Sequence, residues 1–107
     1  MSLTLNDLME EQICFDKDNT EITEGFEMVR HTSLHLSKLV GKLAEYCETR
    51  EHSNVDKYSD ELKVTNEVIP DLLVYALQLS KNFDVDLQRN YLARLSSNKG
   101  KVIFDNS

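Results

Sequence analysis

The chain has 107 residues, 40% hydrophobic and 29% charged, with a formal net charge of −7 and only three glycines and one proline. That length supports a single domain with a modest core, and so little glycine and proline argues against an all-β or loop-rich fold. The acidic balance excludes DNA or RNA as the main partner, because such binders cluster Lys and Arg against phosphates, but a small anion stays compatible, since local charge can oppose the global sign.

No stretch approaches the roughly 20 apolar residues that span a bilayer, so no membrane partner is expected. No signal peptide is evident. The two cysteines, Cys14 and Cys47, lack the spacing of a zinc knuckle or a Cys-x-x-Cys pair. They read as two semi-buried thiols in a reduced, cytoplasmic protein.

Ser2 or Thr4 is a candidate cap for a first helix running to about Phe15. Its apolar positions Leu5, Leu8, Met9, Ile13 and Cys14 recur at helical spacing. Residues 16–23 are polar and read as a loop. A second, long helix is expected from about Glu24 to His52. Its apolar residues Val29, Leu36, Val40, Leu43 and Cys47 fall in an arc of roughly 60° at about 100° per residue. A basic stripe lies on the opposite side: His31, His35, Lys38 and Lys42, spaced four, three and four. Gly41 sits inside this helix at a cost of up to about 1 kcal/mol against Ala, which suggests a close packing contact there.

Residues 53–66 are polar and charged, with room for one weak helical turn. The third helix follows, through Phe83. Asn66 is a plausible cap, which puts Pro70 in the first turn; if the helix begins earlier, Pro70 marks a kink. The segment is apolar almost all round, yet Glu67, Asp71, Tyr75, Gln78 and Asn82 share one arc of roughly 80°. An apolar helix with one polar seam is normally buried, and its seam then needs a partner or a ligand. The basic stripe of the second helix offers one. After an Asp84-Val85-Asp86 break, a fourth helix, about Leu87 to Ser97, carries Leu87, Tyr91, Leu92 and Leu95 on one face. A frayed tail is expected from Asn98. The whole, residues 1–107, reads as one all-α domain of four helices with a long central hairpin. A chain this short leaves much of the third helix uncovered, so a homo-dimer or tetramer is expected, with the second and third helices at the interface.

Residues 68–79, Val-Ile-Pro-Asp-Leu-Leu-Val-Tyr-Ala-Leu-Gln-Leu, with Asp86-Leu87, Tyr91-Leu92, Arg94-Leu95 and Asn98, resemble the MazG-like all-α nucleoside triphosphate pyrophosphohydrolases. The likeness covers most of residues 26–100, and Lys38-Leu-Val-Gly-Lys-Leu-Ala-Glu45 sits where that family carries its Glu-Glu-x-Gly-Glu-Leu segment. The resemblance implies a four-helix MazG-like bundle and hydrolysis of a nucleotide between its α- and β-phosphates. Mg²⁺ would be held by carboxylates on a Glu-x-x-Glu and a Glu-x-x-Asp segment, whose hard oxygens suit that ion. Here the acidic positions of the first segment read Lys38, Leu39 and Lys42. In the second, Asp71 is present but the position three before it is Val68; Glu67 lies on the same face and is a possible substitute. An ammonium cannot ligate Mg²⁺, so a degenerate metal site is expected, with no confident cofactor and Mg²⁺ only if the protein is active.

Lys38 and Lys42 admit three readings: an exposed basic face, a built-in counter-ion to Asp71 or Glu67 in place of the metal, or direct phosphate contacts. His31 and His35, four apart, suit either a hydrogen-bonded pair or, with Glu67 and Asp71, a transition-metal site. Tyr75 and Tyr91 are core packers with the hydroxyl at an edge, or walls of a base pocket. The resemblance implies nucleotide contacts for Arg94 and Asn98, which on their own are a surface Arg and a tail Asn. The candidate ligand-binding set is therefore His35, Lys38, Lys42, Glu67, Asp71, Tyr75, Arg94 and Asn98. The leading expectation is a catalytically silent or altered MazG-like protein that binds a nucleotide-like anion. The alternatives are an active pyrophosphohydrolase using Glu67, Asp71 and Glu45 or Glu48, and a helical interaction module.

Overall fold

Thr4 starts the first helix, α1 (Leu5–Asn19), in a computed structural model that describes residues 2–21, 24–52 and 57–99. Its hydroxyl accepts from the Asp7 N–H, and the Asp7 carboxylate accepts from the Thr4 N–H at 2.8 Å. This reciprocal capping box satisfies two orphan donors and holds the Asp7 carboxyl below its ordinary value, chiefly through the backbone hydrogen bond. α1 runs one turn past Phe15, because Asp16 turns inward where a loop was expected.

The long helix α2 spans Gly25–Glu51, between Glu24 and His52, as the pattern predicts. Gly25 has φ 76°, in the region that favours glycine. Its N–H donates to Asn82 Oδ1 at 2.6 Å, so a side chain from the far end of another helix caps the start of α2.

The stretch read as polar loop is largely helical where it is described. α3 (Lys57–Lys63) leads through a wide π turn, Val64–Val68, straight into α4 (Ile69–Asn82). The expected Asn66 cap is therefore absent, and the helix does begin earlier. Pro70 explains the wide turn. In a regular helix its ring would strike the carbonyl four residues back, and it has no N–H to donate there. Instead the Ile69 N–H reaches back to the Val64 carbonyl, the five-residue span of a π turn. Beyond α4, Asp84 adopts φ 53°, and the Val85 N–H closes on the Ser80 carbonyl at 2.9 Å, ending the helix. Asp86 then caps α5 (Leu87–Lys99), its Oδ1 accepting from the Arg89 N–H at 3.0 Å. α5 extends through Asn98, where a frayed tail was expected; residues 100–107 lie outside the described residues.

Among the described residues the chain is all-helical, with four helical rods. α2 and the α3–α4 rod form the central hairpin, and α1 packs on α4 and α5. Gln88 Oε1 accepts from the Leu5 N–H, tying the starts of α1 and α5. The inward face of α2 is Met28, Thr32, His35, Leu39, Lys42, Tyr46 and Thr49, every one buried or half-buried at alternating spacings of four and three. Thr49 donates to the Asp60 carboxylate of α3.

This corrects the expected faces. Val40 and Leu43, assigned to a core arc, are 65% and 37% exposed, and Cys47 is exposed, as is Cys14. Neither thiol is semi-buried. Tyr91 and Leu92 of α5 also face out. Gly41 has no close neighbour; a Cβ there would meet nothing within 4 Å. The buried apolar side chains among the described residues are Met28, Leu39, Val68 and Leu77. α4, apolar on most of its circumference, leaves Ile69, Leu72 and Leu73 substantially exposed. No described helix is long and apolar enough to cross a membrane.

Candidate functional site

The polar seam of the α3–α4 rod meets α2 at Glu67 and Tyr75, α1 at Gln78, and the start of α2 again at Asn82. Glu67 sits in the π turn, and its Oε1 lies 3.2 Å from Lys42 Nζ of α2. The side chains are 36% and 52% exposed, which leaves the pair open to water and weak. Lys42 thus behaves as a counter-ion, with Glu67 as its partner.

Two turns along α2 from Lys42, His35 faces Tyr75 of α4, ring centroids 5.7 Å apart, and stacks obliquely on His31 at 4.3 Å. Burial lowers the His35 pKa, His31 and Lys38 lower it further, and Asp71 opposes them. Burial likewise raises the Tyr75 hydroxyl, with Asp71 adding to the rise and Lys42 countering it. Asp71 therefore lies within electrostatic reach of both rings. Lys38 is exposed beside them. His31 also borders an open cleft of about 300 Å³ with Glu27, Arg30 and Leu34.

Six sequence candidates thus gather along the α2–α4 seam: His31, His35, Lys42, Glu67, Asp71 and Tyr75. Arg94 and Asn98 do not join them. They lie on α5, which packs on α1 and α4 and not on α2. Arg94 is exposed, and Asn98 is half-buried, with a buried Oδ1 that has no hydrogen-bond partner among the described residues.

The donor set does not suit Mg²⁺. That ion needs near-octahedral oxygen ligation, while Glu67 already faces an ammonium and Asp71 shares its surroundings with imidazole and phenol. Glu45 and Glu48 are exposed on α2 away from the inward stripe. Among the described residues no three His, Cys, Asp or Glu side chains converge as a metal-binding group. His31, His35, Glu67 and Asp71 form no such group.

The seam at Gln78 holds a feature the sequence reading missed. Asp16 of α1 is buried, and its Oδ1 accepts from Gln78 Nε2 of α4 and from Gln12 Nε2, each at 3.0 Å. Two amides thus solvate one carboxylate and fix α1 against α4. The available signal was the Gln12–Asp16 spacing of four, which puts both on one helical face. Beside this contact an open apolar groove of about 390 Å³ runs between α1 and α4, bordered by Leu8, Phe15, Pro70 and Leu73.

No family model, characterised protein or solved structure matches this chain.

Proposed function

We propose that this chain is a MazG-like helical protein whose metal site is replaced by an internal ion pair, that it assembles as a homo-dimer or a dimer of dimers, and that it binds a nucleotide-like anion without hydrolysing it. The observation that carries the reading is the Lys42–Glu67 pair. In the family the sequence resembles, the position of Lys42 belongs to a metal-binding carboxylate. Here an ammonium provides positive charge at the same helical seam, and it satisfies a carboxylate on the facing rod. An ammonium neutralises charge but does not polarise a bound water as Mg²⁺ does, which removes the means of hydrolysis. Lys38, with His31 and His35 when protonated, supplies the positive charge that an anion would meet. The incompletely covered α2 and α4 support the assembly.

Turnover of a panel of nucleoside triphosphates with Mg²⁺ or Mn²⁺, run beside metal-free binding by calorimetry, tests this. Binding without turnover is the expected result. Release of pyrophosphate would replace the proposal with an active pyrophosphohydrolase. Absence of both binding and turnover favours a helical interaction module, a reading that the exposed Phe26, Val40 and Leu43 of α2 support independently.

A further inference from the structure

We infer that the outer face of α2 pairs antiparallel with the same face of a second copy, in a register set by Arg30 and Glu51. The inference names the interface of the assembly proposed above and rests on that assembly, not on the anion site.

The outer face is a second seam, parallel to the inward one. Phe26, Val29, Leu36, Val40, Leu43 and Cys47 recur along α2 at the alternating spacings of a heptad core. Phe26 is 77% exposed and Val40 65%, and Leu43 and Cys47 are exposed as well. Ser33 interrupts the apolar series, but its hydroxyl donates to its own Val29 carbonyl at 2.8 Å. Covering the seam therefore leaves no orphan hydroxyl at this position. α2 packs through its other face on the α3–α4 rod, and among the described residues it makes no contact with α1 or α5; Val29 and Leu36 are half-buried at the edge of that packing, and Phe26, Val40, Leu43 and Cys47 stand exposed.

Charge selects the occupant and its direction. Arg30 and Glu51 both flank the seam on the same side, three heptads apart, and both are exposed. A parallel pair sets Arg30 beside Gly25 and Glu51 beside Tyr46 of the other copy, and neither charge finds a counter-charge. An antiparallel pair brings Arg30 to Glu51 of the second copy, and the two-fold axis repeats the bridge about 32 Å away. That register stacks Val40 on Leu43 and Leu36 on Cys47 of the second copy. The overlap covers Leu36, Val40, Leu43 and Cys47 of each copy, while Phe26 and Val29 lie beyond the end of the second copy's α2.

The register makes Leu36→Cys the test, in a Cys14→Ser background. Within one chain residues 36 and 47 are about 16 Å apart along the helix, too far for a disulfide. Oxidation with glutathione disulfide should yield dimers linked 36 to 47, identified by peptide mapping. Dimers linked 47 to 47, or a light-scattering dimer with no link, would overturn the interface while leaving an assembly in place. A monomer at micromolar concentration would overturn both. Since core variants can misfold, surface variants give a second readout. Arg30→Glu should weaken the dimer about tenfold through the two symmetric pairs, and Arg30→Glu with Glu51→Arg should restore it. Equal weakening by the single and the double variant would also overturn the pairing.

Discussion

Lys42 in the middle of α2 reaches across the hairpin to Glu67 in the π turn, Nζ to Oε1 at 3.2 Å, and both side chains remain in contact with water. A fully buried pair would cost about 3–5 kcal/mol on loss of one member. A solvent-exposed pair contributes about 0–1 kcal/mol. A double-mutant cycle with Lys42→Met and Glu67→Gln, followed by urea unfolding, should give a coupling below about 1 kcal/mol. A coupling above about 2 kcal/mol would show that the pair is dry in solution.

Asp16 is the more consequential carboxylate. It is buried and accepts from two amides on two helices. Asp16→Ala leaves both amide donors without an acceptor and should destabilise the protein by about 1–3 kcal/mol. Asp16→Asn keeps one carbonyl oxygen and should cost less. Equal losses in the two variants, read from urea midpoints, would mean that acceptance at Oδ1 is not what holds α1 to α4.

Two glycines on α2 should respond in opposite directions. Gly25→Ala forces a side chain into a left-handed backbone and should cost about 1–2 kcal/mol. Gly41→Ala meets no neighbour and should stabilise by about 0.5–1 kcal/mol through helix propensity. Thermal unfolding measures both, and a destabilised Gly41→Ala would reveal a surface packed on α2 at that point.

His35 gives the protein a pH response. Burial first, then the charges of His31 and Lys38, depress its folded pKa from 6.5. The unfolded chain therefore takes up the proton more readily. The resulting stability is present above pH 6.5 and is lost as pH falls from there through the depressed folded value. Unfolding free energy should decline across that interval in the parent protein, with a shallower decline in His35→Gln. An NMR titration of the His35 ring with a midpoint above 6.5 would contradict the assignment.

The limits of α2 were legible because its flanking residues interrupt the pattern at both ends. Its orientation was not. Val40, Leu43 and Cys47 form the most apolar arc, yet Thr32 and Thr49 are the residues turned inward, one buried on its own helix with its hydroxyl directed at Met28 Sδ, the other against Asp60. Hydrophobic periodicity finds a seam without saying which partner covers it. The α3 segment was hidden by its composition, because charged residues there decorate a helix held by tertiary contact with α2 rather than by an apolar stripe. In the candidate site, the facing stripes on α2 and α4 were visible from spacing alone, and His35, Tyr75, Lys42 and Glu67 do meet. The choice of Glu67 over Asp71 as partner to Lys42 was not visible, since a wheel of 100° per residue loses phase across a π turn.

That loss of phase makes the wide turn a rotary joint between the two ends of the rod. It carries one residue more than a regular turn of the same height, so α3 is rotated about the rod axis relative to where an unbroken helix would carry it. Straightening 64–68 into an ordinary helix with all five residues kept would swing α3 by about 100°, taking Asp60 away from Thr49 while α4 kept its seat. Deleting one residue as the turn straightens would instead leave α3 facing α2 much as it does now, so the spare residue and the wide turn cancel each other in aiming α3.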